Sequence, residues 1–440
     1  MIPPKIGNSP FKNTGTIRPM GIYPNQGYTG DLQPRYTGRH FLIHKETKGG
    51  KVGIKRVLET KWGFTVSETL DFKTRGINEQ DIEGANALIY NELGITLLGT
   101  EEDPIPLLKS LDNEYFIAPE KVVYLLERGK TGKSVGIPIE TPIGIPSRNS
   151  LEDPAETGQP SSTWGIRATG ADRSRYTGSG TRLAVLDTGF DAGHPDFQER
   201  EVIACSFVPE ESAQDRHGHG THCIGVAGGA TDEEGLRYGV APGTSLFAGK
   251  VLSDGGSGAQ SWVLNGITWA AKNGCQAISM SLGTLVQPGE IYDIAYERAA
   301  RFALSKGALL VAAAGNDSDR SLQRFCPVSS PADCPSILAV GAIDEELNVA
   351  NFSNRALNPS GLVDFVAPGV GIHSTWIKPT RYRTLSGTSM ATPHVAGIIA
   401  LLWEKYPAAT PAEIEKKLRE TAKKLPIASE DGGVGLCIAP

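Results

Sequence analysis

Four short runs between Leu183 and Ala342 carry almost no polar side chain: Leu183–Leu186, Ala277–Ser281, Leu309–Ala314 and Ile337–Ala342. A strand with one face in water alternates apolar and polar residues. These runs do not alternate, so each must be covered on both faces. Segments of helical length fall among and after them: Trp262 to Asn273, Met390 to Tyr406, and Pro411 to Lys424 with Thr410 as its N-cap. Residues 245–252 read as a further strand. Strand and helix in alternation require a parallel sheet with right-handed crossovers. From about Trp164 onward the fold class is therefore α/β, a mostly parallel sheet flanked by helices.

The rest of the chain reads differently. Residues 1–37 are rich in Gly, Pro, Asn and Thr without periodicity, and are expected to form an extended or disordered arm. Residues 38–128 form a small α+β unit. Its expected elements are a strand at Phe41–His44, a helix from Lys51 to Phe64, an ambiguous apolar stretch from Ile82 to Leu98, a short helix from Pro106 to Leu111, and a buried strand at Val122–Leu126. Residues 129–160 follow as an exposed linker, because Pro138, Pro142 and Pro146 block a regular helix or a central strand. Such a segment is open to proteolysis. Residues 161–440 make up the α/β domain.

Charge separates the same two parts. Residues 1–150 hold 19 basic and 17 acidic side chains, and residues 151–440 hold 24 and 32. The net charge of −6 lacks the basic face of a nucleic-acid binder, and no apolar run approaches the roughly 18 residues of a membrane span. The expected partners therefore include neither nucleic acid nor membrane. The six cysteines show no C-x-x-C pair and are too sparse for a disulfide scaffold; Cys326 and Cys334 are close enough in sequence to bridge, and buried free thiols are the alternative. The opening Met-Ile-Pro-Pro-Lys lacks the apolar core of a signal peptide, which as written favours the cytoplasm, and secretion if a leader has been trimmed.

Three segments carry chemistry. Asp187 ends the apolar run Leu183–Leu186. His219 lies in His217-Gly-His-Gly-Thr-His222-Cys223. Ser389 stands at a helix start in Leu385-Ser-Gly-Thr-Ser-Met-Ala-Thr-Pro-His. Asp, His and Ser in that order is one of the chain orders of a hydrolytic triad. A serine hydroxyl needs a base to remove its proton, an imidazole titrates near neutrality, and a carboxylate holds the imidazole in the right tautomer. Each residue alone has a plainer reading: a turn-forming Asp, a structural His, an N-capping Ser. His217, His219 and His222, with Asp215 beside them, could also form a metal site, although the glycines between them give the ligands no rigid element.

These segments together resemble the subtilase family of serine endopeptidases over about residues 160–425, and Ala312-Ala-Ala-Gly-Asn316 is similar to that family's oxyanion segment. The resemblance implies a subtilisin-like catalytic domain with Asp187, His219 and Ser389 as the triad. Asn316 and the Ser389 backbone N–H would be the oxyanion donors. It implies substrate strands at Gly256-Ser257-Gly258 and Ser281-Leu282-Gly283, with Ala314 and Gly315 lining a primary pocket that suits a bulky apolar residue. Cys223, four residues after His219, would sit beneath the imidazole as a small hydrophobe. Structural calcium is the cofactor implied, with Asp196 as a ligand, and none is required for the chemistry. The segment Thr231–Arg237 departs from the family's Asn-rich calcium loop, so Asp232, Glu233 and Glu234 could instead form a solvated acidic turn.

The N-terminal unit resembles, through its element order and Tyr115–Glu120, the ferredoxin-like propeptide domain of that family. The expectation is a zymogen whose 38–128 domain is chaperone and intramolecular inhibitor and whose 129–160 linker lies in the cleft and is cut. An adaptor domain that is never removed is the other reading. Two alternatives to a protease of proteins and peptides also stand: a peptide ligase or macrocyclase on the same fold, and a catalytically silent interaction module.

Overall fold

The computed structural model describes residues 35–45, 54–69, 85–99, 115–126 and 161–440. Most of the arm, the short helix expected at Pro106–Leu111 and the linker 129–160 lie outside the described residues.

The N-terminal unit comprises β1 (Tyr36–His44), α1 (Ile54–Trp62), β2 (Val66–Glu68), β3 (Ala87–Tyr90), β4 (Ile95–Leu98) and β5 (Tyr115–Leu125). The ambiguous Ile82–Leu98 stretch is a hairpin. Its strands β3 and β4 pair antiparallel around Asn91–Gly94, where Gly94 takes φ +62°, a backbone conformation glycine enters without a Cβ penalty. The sheet runs β5-β1-β4-β3-β2 and is mixed, since β2 lies parallel to β3 while the other neighbours are antiparallel. β1 begins at Tyr36, two residues inside the arm expected over 1–37.

The α/β domain opens with α2 (Trp164–Thr169), then β6 (Arg182–Asp187), β7 (Val202–Ser206), α3 (His219–Gly228), β8 (Ser245–Lys250), β9 (Ser257–Ala259) and α4 (Gln260–Lys272). It continues through β10 (Ala277–Met280), β11 (Leu282–Gly283), α5 (Ile294–Ser305), β12 (Leu309–Ala313), β13 (Leu338–Ile343) and β14 (Phe365–Pro368). The hairpin β15 (Ile372–Thr375) and β16 (Tyr382–Leu385) leads into α6 (Thr388–Lys405) and α7 (Pro411–Thr421). The main sheet has the order β14-β13-β12-β10-β6-β8-β7 with every neighbour parallel. Successive residues of one strand feed opposite sides. Leu186, Ile278 and Leu310 pack with α4 and α5, whereas Val185, Ala277 and Val311 pack with α3, α6 and α7. That is why these strands show no alternation in sequence.

Strand order reverses at β6, with β8 and β7 on one side and β10 to β14 on the other. Such a switch point leaves a crevice at the carboxyl ends of the strands, and Asp187 ends β6 there. The N-terminal unit packs on the α4–α5 side, where Phe41, Leu88 and Tyr90 join the same apolar cluster as Trp262 and Tyr296. Arg298 of α5 donates to the Gly94 carbonyl at 2.7 Å. No helix among the described residues is long and apolar enough to cross a membrane.

Candidate active site

Three elements converge on the crevice. β6 delivers Asp187, the first residue of α3 is His219, and the second residue of α6 is Ser389. All three are almost fully buried. His219 Nδ1 lies 2.8 and 3.0 Å from the two oxygens of Asp187. Burial alone would push the imidazole pKa down, but the charge and hydrogen bond of Asp187 hold it well above the ordinary value. α3 reaches this position because Gly220 abuts the Gly189 carbonyl oxygen, with which any Cβ would collide.

Ser389 differs from expectation in one respect. Its hydroxyl faces the Leu126 carbonyl oxygen at 3.0 Å and the Ser281 carbonyl oxygen at 3.3 Å, and His219 Nε2 is buried without a hydrogen-bond partner. The Leu126 carbonyl offers the serine a competing acceptor, and no hydrogen bond joins Ser389 to His219 Nε2. Behind Ser389, Pro393 occupies the helix position whose N–H would bond its carbonyl. That carbonyl instead accepts from the Ser281 hydroxyl at 2.7 Å and from the Cys223 thiol at 3.6 Å. The start of α6 is thereby tied to β11 and to α3. Cys223 does sit under the imidazole, 3.8 Å from Nδ1, and burial raises its pKa, so it packs as a thiol.

Asn316 Nδ2 donates to the Leu126 carbonyl oxygen. Its Oδ1 is held by the Thr388 amide and hydroxyl, each at 2.9 Å, which leaves the NH2 aimed into the crevice. The Leu126 oxygen is therefore met by two side chains, Asn316 and Ser389; the Ser389 amide, the second donor expected, is not one of its partners.

The segments expected to bind substrate are occupied by β5. Val122, Val123 and Tyr124 pair antiparallel with Ala259, Gly258 and Ser257, and the Leu125 amide donates to the Gly256 carbonyl at 3.0 Å. On the other side Tyr124 and Leu125 pair with Gly283 and Leu282, while Thr284 Oγ1 donates to the Val122 carbonyl at 2.9 Å. The described chain in the cleft is thus 122–126, the strand read as the end of the N-terminal unit; the linker 129–160, expected there, lies outside the described residues. The apolar run 122–126 reads as core, and Val123, Leu125 and Leu126 are indeed buried, but β9 and β11 flank it edge to edge. Leu126 Cδ1 lies beside Gly283, whose α-carbon also faces Ser329. Ser329 in turn faces Gly315, where a Cβ would clash with Ser329 and Asn354. Ala314 is fully buried behind them.

Asp196 does not suit a calcium ligand. A calcium ion takes six to eight oxygens, carboxylates prominent among them. Here the two Asp196 oxygens already accept hydrogen bonds from Tyr238 OH at 2.6 Å and Tyr382 OH at 2.8 Å. Tyr382 OH also accepts from the Glu233 amide, and His373 stacks on Tyr382 while meeting Asp232 Oδ2 at 3.3 Å. Asp232 Oδ1 caps the amides of Glu234 and Leu236, and Glu233 pairs with Arg381. The acidic segment is a hydrogen-bonded turn stitched to the β15–β16 hairpin by Tyr382, His373 and Arg381. Tyr238 and Tyr382 went unrecognised because nothing in their spacing links them to Asp196.

Nor do His217, His219 and His222 assemble with Asp215 as one set of ligands. His222 Nε2 faces the carbonyls of Ile372 and Arg383 at 3.1 Å each, and burial followed by the nearby His219 charge lowers its pKa to about 3. Asp187, His219 and Cys223 are the one group of potential ligands brought together among the described residues. All six cysteines are free, so Cys326 and Cys334 do not bridge.

Comparison with known proteins agrees with this geometry. Residues 178–436 match the model of the subtilase family. The chain belongs to the subtilase family. It is 41% identical over 262 residues to Subtilisin E of Bacillus subtilis (strain 168), a match covering 59% of this chain and 65% of that protein. Over the same length it is 41% identical to Subtilisin of Bacillus pumilus, covering 90% of it. It is also 41% identical over 286 residues to an alkaline protease of Shouchella clausii, covering 64% of this chain and 70% of that one. As a subtilase, the chain carries its Asp, His and Ser at the carboxyl edge of a parallel sheet, with an N-terminal unit lying outside the region matched to the family model.

Proposed function

We propose that the chain is a serine endopeptidase using Asp187, His219 and Ser389, with Asn316 in the oxyanion site. We further propose that it is made as a zymogen whose first substrate is its own Leu126–Glu127 bond. The observation that carries this reading is the Leu126 carbonyl, touched at once by the Asn316 amide and the Ser389 hydroxyl at the end of a strand laid between two edges. Strand addition recognises main chain, so any extended protein or peptide is a candidate substrate, with a large apolar side chain such as Leu126 before the cut.

In the reaction His219 Nε2 takes the Ser389 proton while Oγ bonds to the carbonyl carbon and the C=O electron pair moves onto oxygen. Asn316 donates to that oxygen as its charge develops. Collapse breaks the C–N bond, and the imidazolium, stabilised by Asp187, gives its proton to the departing amine. Water then repeats the sequence on the acyl-enzyme, releasing the carboxylate and restoring the serine. The N-terminal unit, a ferredoxin-like propeptide ending at Leu126, acts as chaperone and product-like inhibitor. Residues 161–440 are the catalytic domain.

The test is intact mass and N-terminal sequencing of purified protein. Wild type should yield a new terminus at Glu127, and Ser389→Ala should stay full length and resist a fluorophosphonate probe. Active wild type with the Leu126–Glu127 bond intact would overturn the zymogen reading. Absence of probe labelling in processed wild type would overturn the enzyme reading.

A further inference from the structure

Asp215 is 1% exposed and takes no part in the chemistry above, yet its carboxylate gathers the machinery around His219. Oδ1 accepts hydrogen bonds from the amides of His217 and Gly218 at 2.9 and 2.8 Å and from the Thr188 hydroxyl at 3.0 Å. Oδ2 accepts from the amide and hydroxyl of Thr221 at 2.9 and 2.8 Å. Amides on both sides of His219 therefore end on one carboxylate. The N-cap of α3 is Gly218, which has no side chain to bond the first-turn amides, so Asp215 does so from outside the helix. An anion is also favoured there by the helix dipole.

The other half of the pair is reached through Thr188. Its hydroxyl donates to Asp215 and accepts from the Gly220 amide at 2.9 Å, and its amide donates to Asp187 Oδ1 at 2.7 Å. The Thr221 hydroxyl also accepts from the Asp191 amide at 2.9 Å, tying the segment after β6 to the same node. Strand end and helix start thus share one anchor. The imidazole of His219 must meet Asp187 within hydrogen-bond tolerance while keeping Nε2 toward the reacting atoms, and misplacement of about 1 Å can cost roughly 100-fold in rate.

We propose that Asp215 is the positioning residue that sets His219 against Asp187. This rests on the triad reading above. Ser389 labelling in wild type tests that reading separately: if wild type is not labelled, the triad reading fails whatever Asp215 does. The titratable groups around His219 are Asp187 from β6, His217 in the preceding loop, and His222 and Cys223 on α3.

Three full-length variants are compared after activation: Asp215→Ala, Asp215→Asn and Thr188→Val. Active sites are counted by stoichiometric fluorophosphonate labelling, and kcat, KM and the pH profile of kcat/KM are measured per labelled site. For Asp215→Ala, kcat per site should fall about 100-fold with KM within about twofold. Its acid limb should move to lower pH, because an imidazole displaced from Asp187 is less easily protonated. Asp215→Asn and Thr188→Val should shift in the same direction by smaller amounts. A merely structural role would reduce the number of labelled sites and leave rate per site and acid limb as in wild type; that result would overturn the assignment. If Asp215→Ala does not fold, Thr188→Val decides, since it cuts the link and keeps the carboxylate.

Discussion

Glu120 offers the most direct test of how the N-terminal unit is held on the α/β domain. Its side chain is fully buried and accepts from the Ser261 amide in the first turn of α4 at 2.8 Å, from Arg39 Nε at 2.5 Å and from the Thr37 hydroxyl at 2.6 Å. Arg39 also donates to the Ser261 hydroxyl at 3.0 Å. Glu120→Ala removes a buried carboxylate from an arginine side chain that is only 10% exposed. Breaking such a pair costs about 3–5 kcal/mol. Arg39 keeps its Ser261 contact, which favours the lower end, so opening of this interface should become easier by about 3 kcal/mol, roughly 150-fold. The measurement is native-state hydrogen exchange on the full chain carrying Ser389→Ala, which prevents self-digestion. The Leu125 amide, bonded to the Gly256 carbonyl, is the reporter. Its exchange, with that of neighbouring β5 amides, should accelerate by about two orders of magnitude, while amides of β10 and β12 keep wild-type rates. Unchanged exchange in 115–126, or equal acceleration throughout the central sheet, would refute the idea that Glu120 clamps the two parts together.

Four further outcomes follow from the structure. Asn316→Ala should lower kcat by about 10²–10³-fold with little change in KM, read by steady-state kinetics on an extended peptide, since its amide serves the oxyanion. Asp187→Asn should lower kcat by about 10⁴-fold. Because Asp187 holds the His219 pKa up and the base works only when neutral, the acid limb of kcat/KM should also move to lower pH, which a pH–rate profile checks. Tyr382→Phe should cost about 1.5–3 kcal/mol of stability in urea unfolding of the Ser389→Ala chain, a hydrogen bond to a charged group being lost. In the same assay Asp196→Asn should destabilise equally in calcium and in chelator.

What the sequence revealed and what it hid have physical causes. The apolar strands were legible because both faces of β6, β10 and β12 are covered, which erases alternation. Asp187, His219, Ser389 and Asn316 were legible because each sits at a fixed place on an element end, within a short run that chemistry constrains. Leu126 was not, since Val122–Leu126 reads as a core strand whichever domain covers it, and the prolines beyond draw the eye to an exposed linker further on. Ile82–Leu98 stayed ambiguous because apolar residues flank a turn whose only strong local sign is Gly94. The Tyr238–Asp196–Tyr382 cluster joins segments up to 186 residues apart, a contact no local pattern encodes. Asp215, beside the histidine cluster, reads in sequence as part of a metal candidate; its five hydrogen bonds to residues 188–221 give it another task.

β5 belongs to two ladders at once, pairing with β1 on its own unit and with β9 and β11 across the cleft. Hydrolysis after Leu126 would remove one covalent bond and none of those pairings, since all of them involve residues on the N-terminal side of the cut. In the zymogen proposed above, cutting and switching on would thus be separate events, with the interval between them acting as a delay timer. The lag would be set by how fast a spent strand unzips from two edges together. The first molecules to lose theirs can digest the strands that leave others, so activity in a population should rise as a sigmoid that steepens with protein concentration.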